Sequence, residues 1–254
     1  MSSEDKAETT EHSLRGRVAL VTGASGGIGH ALARALARDG AAVAVAYGIG
    51  RQAAESVADS IIAEGGRAVV VGGDLSSADG PVRLVQEAEK KLGPVEVLVS
   101  NAGRGERHTL EDLTVEEFDR TLAINLRAPF LLAQRTIPDM SERGYGRVLF
   151  MSSTAAFIGG IVGPHYAASK AGLHGLTHSL ASRFASSGVT VNALAPALIA
   201  NTGMLPGMPE QLSAQIPLRR LGQPAEVADL ALSILRNPYV TNQVISIDGG
   251  IHPG

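Results

Sequence analysis

Seven short runs rich in Val, Ala and Leu punctuate the chain, at residues 18–22, 42–46, 68–71, 95–99, 147–151, 189–194 and 243–247. Between them, apolar residues recur every three or four positions. That period predicts helices near 28–38, 51–64, 81–92, 115–143, 166–186 and 225–235. Gly40, Gly65, Gly93, Gly144 and Gly188 each follow a predicted helix, where a residue without Cβ suits the left-handed C-terminal cap. Strand and helix alternate over the whole length. This predicts an α/β protein with a mostly parallel, doubly wound sheet, helices on both faces and strand order 3-2-1-4-5-6-7. One stretch breaks the rhythm: residues 196–215, rich in Pro, Gly and Met. An excursion of that size inside a compact domain is more often functional than idle.

Composition narrows the classes. The chain has 254 residues, 44% hydrophobic and 19% charged, which suits one folded domain with a large core. Residues 1–13 are polar and acidic and are expected to form a flexible tail. Residues 14–254 are expected to form a single Rossmann-type domain with a lid near 197–216. The net charge is -3 and no Lys/Arg run stands out, so nucleic acid and membrane surfaces are not expected partners. No apolar stretch is long enough to span a bilayer, and no signal-peptide core is present. With no cysteine, disulfides and thiolate metal sites are excluded. A cytoplasmic location is expected.

The first predicted strand runs into Thr22-Gly-Ala-Ser-Gly-Gly-Ile-Gly29 and then a helix. Glycines there allow a tight turn and close approach to a pyrophosphate, and the helix start offers free N–H groups. The register is ambiguous from spacing alone. Gly23, Gly27 and Gly29 read as G-x-x-x-G-x-G, and Gly23, Gly26 and Gly29 as G-x-x-G-x-x-G. The second strand ends at Tyr47, where a carboxylate would bind ribose hydroxyls and repel a 2′-phosphate; Arg51 follows. NADP(H) is therefore expected, with NAD(H) the alternative.

Tyr166 and Lys170 are four residues apart, and Ser153 lies thirteen positions before the tyrosine. On a helix, the phenol and the ammonium share a face. A free phenol titrates near pH 10, and a cation held close would bring it toward the working range. A carbonyl receiving hydride develops negative charge on oxygen, and Ser153 with Tyr166 would supply two donors there. This chemistry needs no metal.

Taken together, Thr22 to Gly29, Asp74-Leu75, Asn101-Ala-Gly103, Asn125, Ser153, Tyr166, Lys170 and Asp248-Gly-Gly250 resemble the short-chain dehydrogenases/reductases of the shorter type. The likeness covers nearly everything from Leu14 to Gly250 and selects the G-x-x-x-G-x-G register. It implies that Tyr166 is the acid or base and that Lys170 lowers its pKa and binds the nicotinamide ribose. It further implies that Ser153 orients the substrate oxygen and that Asn125 holds a water for proton supply. The same likeness implies a cofactor surface built from Gly23, Ser25, Gly27, Ile28 and Gly29. Asp74 and Leu75 would stand at the adenine and Asn101, Ala102 and Gly103 along the cofactor. Pro196 and Ile199 would stand near the nicotinamide.

The pattern is nearest that of 3-oxoacyl-acyl-carrier-protein reductases, so the expected reaction is reduction of a ketone or 3-oxoacyl thioester to a secondary alcohol. Such enzymes tend to dock their carrier through arginines flanking the site mouth. The matching positions here are Gly144 and Ser187, with Arg143 and Arg147 near enough to compensate. His174 and His178 have metal-ligand spacing but lack the accompanying Glu, so surface or interface histidines are the expectation. Residues 155–164 carry no charge and point to an apolar or neutral substrate, with Met204, Leu205, Met208 and Leu212 as a mobile cover. The helices at 115–143 and 166–186 are apolar around much of their girth, which suggests a homotetramer. Two other readings stay open: an NAD(P)-dependent alcohol, sugar or steroid dehydrogenase running oxidatively, and a cofactor-binding regulator without catalysis.

Overall fold

The computed structural model describes residues 14–203, 205 and 209–253. The expected tail at 1–13, and Met204 and Met208 of the expected cover, lie outside the described residues. Strands β1 (Val18–Val21), β2 (Ala42–Tyr47), β3 (Arg67–Gly72), β4 (Val97–Ser100), β5 (Gly146–Met151), β6 (Val189–Pro196) and β7 (Val244–Ile247) form one sheet. Every pairing is parallel and the order is β3-β2-β1-β4-β5-β6-β7, as the strand-helix rhythm predicts.

The strand runs are apolar throughout because both faces are covered. Along β1, Ala19 and Val21 join one core and Val18 and Leu20 the other. The first core also takes α1 (Gly27–Arg38), α2 (Arg51–Ala63) and the late helix Pro224–Arg236, through Leu32, Leu36, Val57, Ile61, Val227 and Ile234. The second takes α3 (Gly80–Leu92), a helix at Ala128–Glu142 and one at Pro164–Phe184 through Leu84, Leu132, Met140 and Leu173. The five capping glycines all have φ between 68° and 99°.

The single helix expected over 115–143 is broken. It runs as α4 (Val115–Leu122), a π turn over Ala123–Arg127, and α5 (Ala128–Glu142). Pro129 has no N–H to offer the carbonyl of Asn125, four residues back. The ladder widens there, and the Ala128 N–H donates to Ala123 O, five residues back. The remaining helices are α6 (Ala155–Ile158), α7 (Pro164–Phe184), α8 (Pro209–Ser213) and α9 (Pro224–Arg236). Among the described residues no helix is long and apolar enough to cross a membrane.

Strand order reverses between β1 and β4, whose neighbours continue in opposite directions across the sheet. A crevice opens at the carboxyl ends of strands on either side of such a point. Thr22 follows β1, Asn101 follows β4 and Ser153 follows β5, so the three enter the same crevice.

Candidate active site

The glycine loop is built as the register G-x-x-x-G-x-G requires. A Cβ on Gly23 would lie 2.9 Å from Ala102 Cα, one on Gly27 2.3 Å from Asn201 O, and one on Gly29 2.2 Å from Gly23 O. At Gly26 the nearest atom would be 3.5 Å away, an ordinary contact. Gly23 also has φ 63°, in the left-handed region. Helix α1 starts at Gly27 with no side-chain cap and no acidic residue in its first turn. Its N–H groups and positive dipole end are therefore left for an anion.

Sequence reasoning missed the residue that sets this loop against β4. Buried Thr22 accepts, through Oγ1, hydrogen bonds from the N–H groups of Asn101 and Ala102, each at 3.0 Å. Asn101 Nδ2 donates back to Thr22 O at 3.0 Å and Gly23 O at 3.3 Å. The signal was present as a threonine at the strand end, directly before the first glycine.

Further along the crevice the expected residues fall in different settings. Tyr47 lies at the end of β2, with its ring against Gly72, where a Cβ would come within 2.8 Å. Arg51 is exposed, and its Nε donates to Glu55 Oε1 at 2.8 Å, one turn along α2. Asp74 is exposed and accepts from Ser76 N at 2.8 Å and Ser76 Oγ at 2.6 Å. The Ser76 hydroxyl, then its N–H, hold the Asp74 carboxyl below its ordinary value. Leu75 packs against the second core, and Ser25 is half-buried in the glycine loop.

Tyr166 and Lys170 sit one turn apart on α7, on the face that also buries Leu173, Thr177 and Ala181. Both are buried, at 7% and 3% exposure. The Tyr166 phenol is hydrogen-bonded to the Ser153 side chain. Lys170 Nζ donates to Met151 O, the end of β5, at 2.7 Å and lies 5.8 Å from the Tyr166 ring centre. Burial moves both groups. The phenol is pushed up, with the Ser153 hydrogen bond pulling the other way. The lysine is pulled down to about 8. The expected lowering of the phenol by its lysine does not appear; exclusion of water sets the direction, opposed only by Ser153.

Asn125 lies in the π turn, fully buried. Its Oδ1 accepts from Arg104 N at 2.8 Å, and its Nδ2 donates to Arg104 O at 2.8 Å and Ser169 Oγ at 3.0 Å. A Cβ on Gly103 would lie 3.3 Å from Lys170 Nζ and 3.6 Å from Asn125 Oδ1, so only glycine leaves that space open. The three groups come together although they are far apart in sequence.

A cavity of about 140 Å³ connects these parts, lined by Ile28, Asn101, Tyr166, Lys170, Pro196 and Ile199, among others. Leu198 in its wall has φ 50°, and Asn201, just before the wall residue Thr202, has φ 56°, positions where a side chain is strained. Leu205 of the expected cover lines the cavity, and Leu212 lines an adjoining apolar pocket.

Several side expectations resolve. His174 and His178 do not act together: His174 Nε2 meets Ser152 Oγ at 2.9 Å, and His178 Nδ1 meets Asn242 Oδ1 at 2.7 Å. Ligand atoms of Glu106, His108 and Glu117 lie within 4.8 Å of one another. The Arg104 guanidinium already bridges both of those carboxylates, at 2.7 and 2.9 Å. Arg220 is paired with Glu226.

The idea that Arg143 and Arg147 compensate for lost carrier-docking arginines needs correction. Arg147 is 7% exposed and donates to Leu235 O, Gly146 O and Gly188 O. Arg143 donates to Val95 O at 3.2 Å. Gly144 and Ser187 precede β5 and β6, so within one chain they stand at the amino ends of the strands, opposite the crevice.

Comparison with known proteins agrees with this arrangement. The pattern of the short chain dehydrogenases matches residues 17–213. A 3-oxoacyl-[acyl-carrier-protein] reductase of Synechocystis sp. is 38% identical over 94% of this chain and 98% of its own. A blue fluorescent protein from a metagenomic library, solved in complex with NADPH, superposes with a TM-score of 0.88 at 35% identity, over 94% of this chain and 99% of its own. The angucycline C-6 ketoreductase LanV, solved with bound NADP, gives 0.86 at 32% identity, over 94% and 96%. Fold, glycine loop, the Ser-Tyr-Lys set and these likenesses agree: the chain belongs to the short-chain dehydrogenase family.

Proposed function

We propose that the protein reduces a ketone to a secondary alcohol, with NADPH as hydride donor and Tyr166 as proton donor. The observation that carries this reading is the buried phenol, hydrogen-bonded to Ser153 and one helical turn from Lys170, at the mouth of a crevice that begins in a glycine cradle. The Gly23, Gly27 and Gly29 cradle, together with the uncapped start of α1, suits a pyrophosphate. Tyr47 and Arg51 stand where a carboxylate would repel a 2′-phosphate, and the structural relatives solved with NADPH and NADP support that preference. Asp74 and Leu75 would border the adenine. Asn101, Ala102 and Gly103 would run beside the cofactor, with Pro196 and Ile199 closing its far end. When bound, the reduced nicotinamide supplies the hydride.

The chain's own groups manage the oxygen and the proton. Ser153 and Tyr166 donate to the carbonyl oxygen and stabilise the charge that grows there. Tyr166 then releases its proton to that oxygen. Lys170 keeps its charge at neutral pH, since its value near 8 lies above it, and stands beside the phenol to favour its anion. The carbonyl of Asn125, which Pro129 cannot serve as its i+4 donor, would hold a water for proton return.

The likeness to carrier-protein reductases favours a second substrate reading, a 3-oxoacyl thioester. The outer faces of α4, the π turn, α5 and α7 leave an apolar groove at Leu122, Leu126, Phe130 and Leu176, where further copies of the chain would pack to form a tetramer.

Replacing Tyr166 with Phe tests the central claim. NADPH oxidation with an activated ketone should fall by about 100-fold or more. NADPH binding, read by fluorescence titration, should stay within about threefold. Retained turnover would refute the assignment.

A further inference from the structure

Asp248-Gly-Gly250 and the residues after it have no part in the chemistry above, yet they are firmly built. The buried Asp248 carboxylate accepts from Gly250 N at 2.9 Å and from His252 N at 3.0 Å. Gly249 and Gly250 have φ 66° and 91°, and a Cβ on Gly249 would lie 2.6 Å from Ile216. The turn is therefore folded tightly back, and it presents two side chains toward the substrate side.

Ile251 lines an apolar pocket of about 190 Å³ with Ile158, Ile161, Val162, Leu198 and Leu212. Ile161, Val162 and Leu198 also line the cavity that holds Tyr166 and Lys170, so the pocket is a side lobe of the reaction site. No charged residue lines it. Just outside it, His252 stacks on Phe157 of α6, with ring centres 4.5 Å apart and planes at 14°. Phe157 in turn meets His174 of α7 at 4.8 Å. His174 is itself fixed, because its Nε2 meets Ser152 Oγ, which donates to Lys170 O at 3.1 Å. Three distant segments thus make one connected unit, whose members Phe157 and His252 directly adjoin the lining residues Ile158 and Ile251 in the chain. Nδ1 of His252 is buried without a hydrogen-bond partner, so stacking is what that ring contributes.

Resting on the carbonyl-reduction reading, we propose that this C-terminal turn sets substrate size. Ile251 and the His174–Phe157–His252 stack form a fixed rear wall that restricts the site to an uncharged ketone carrying about one ring. The size follows from volume. An engineered apolar cavity of about 150 Å³ takes one benzene. A lobe of about 190 Å³ therefore matches a single ring with a short substituent better than two fused rings. Apolar lining without a charged partner disfavours an ionised group there.

The test compares acetophenone with 2-acetonaphthone in the wild type, His252→Ala, His252→Phe and Phe157→Leu. Wild type should favour acetophenone in kcat/KM by at least about tenfold. His252→Ala and Phe157→Leu should shrink that ratio by about fivefold, through KM, with kcat within about twofold. His252→Phe should restore it, since a phenyl ring stacks as well and carries no orphaned nitrogen. Equal use of the two ketones by the wild type, an unchanged ratio in His252→Ala and Phe157→Leu, or failure of His252→Phe to restore it would overturn the proposal.

Equilibrium binding of the same ketones, followed by ligand-observed NMR, reads the wall without turnover. It should show the same order of preference, and its absence counts against the wall. If neither ketone binds or reacts but acetoacetyl-coenzyme A is reduced, the size limit is wrong and the reductase reading stands. If the ketones bind selectively but NADPH is never oxidised, the wall stands and the reductase reading falls.

Discussion

Lys170 carries a large physical cost in the site, and that cost can be measured. Its ammonium is 3% exposed, donates to Met151 O, and has its pKa drawn from 10.5 to about 8 by loss of water. In the unfolded chain the same lysine titrates at its ordinary value. Between the two values the unfolded state binds more protons, so stability gained from this group rises with pH through that window. Below the folded value the full penalty remains. A shift of this size corresponds to about 3 kcal/mol at neutral pH, and about 2.5 kcal/mol of it is relieved between pH 7 and pH 10.

Lys170→Met keeps the length and packing of the side chain and removes the charge. It also removes the hydrogen bond to Met151 O, a loss of about 1.5–3 kcal/mol for a charged donor. The absolute stability at one pH therefore mixes two opposed effects. The change with pH does not, because titration of every other group cancels between variant and wild type. Urea denaturation at pH 7, 8.5 and 10 should show the variant losing about 2.5 kcal/mol relative to the wild type across that range. Its turnover should be near zero throughout. Parallel stability profiles would mean that Lys170 is hydrated or already neutral, and the account of a buried working cation would fail.

The glycine register is tested by a pair of alanines. Gly26→Ala meets only an ordinary contact at 3.5 Å and should leave the melting temperature nearly unchanged. Gly29→Ala, with its Cβ 2.2 Å from Gly23 O, should destabilise by roughly 2 kcal/mol or more, read in the same melting experiment. Arg51→Ala should weaken NADPH by roughly fivefold, about 1 kcal/mol, and leave NADH unchanged in a two-cofactor titration. Equal loss for both cofactors would remove Arg51 from 2′-phosphate recognition.

Much of the frame was legible because it rests on local rules. A continuous apolar strand run requires cover on both faces, and Gly23 and the five capping glycines sit at left-handed φ that only glycine adopts freely. The break in the helix expected over 115–143 was missed, although Pro129 carried its signal. A period of three to four continues across the π turn, and nothing in periodicity registers one missing N–H. The C-terminal stack and the position of Arg147 were not legible. Both depend on contacts between segments far apart in the chain. Arg147 reaches Leu235, and His252 reaches Phe157 and through it His174. Spacing cannot say that an arginine at a strand start is consumed by backbone carbonyls at the wrong end of the sheet.

The phenol shows the same division at the level of energy. Four-residue spacing on a helix correctly makes Tyr166 and Lys170 neighbours, and from proximity alone the cation should lower the phenol. Which effect wins depends on water, and water is excluded by residues that the spacing does not mention. Met151 O accepts a hydrogen bond from the ammonium, and Pro196, Ile199, Ile161 and Val162 wall the cavity. With solvent removed from both groups, each is driven toward its neutral form, the phenol up and the amine down. Ser153 is the polar contact that works against this at the phenol, and it does so by hydrogen bonding. The serine thirteen residues upstream therefore lowers the cost of the phenolate, and in the proposed reaction the same hydroxyl would also aim the substrate. A sequence motif names both residues, but their joint effect follows only once the sheet brings the end of β5 against α7.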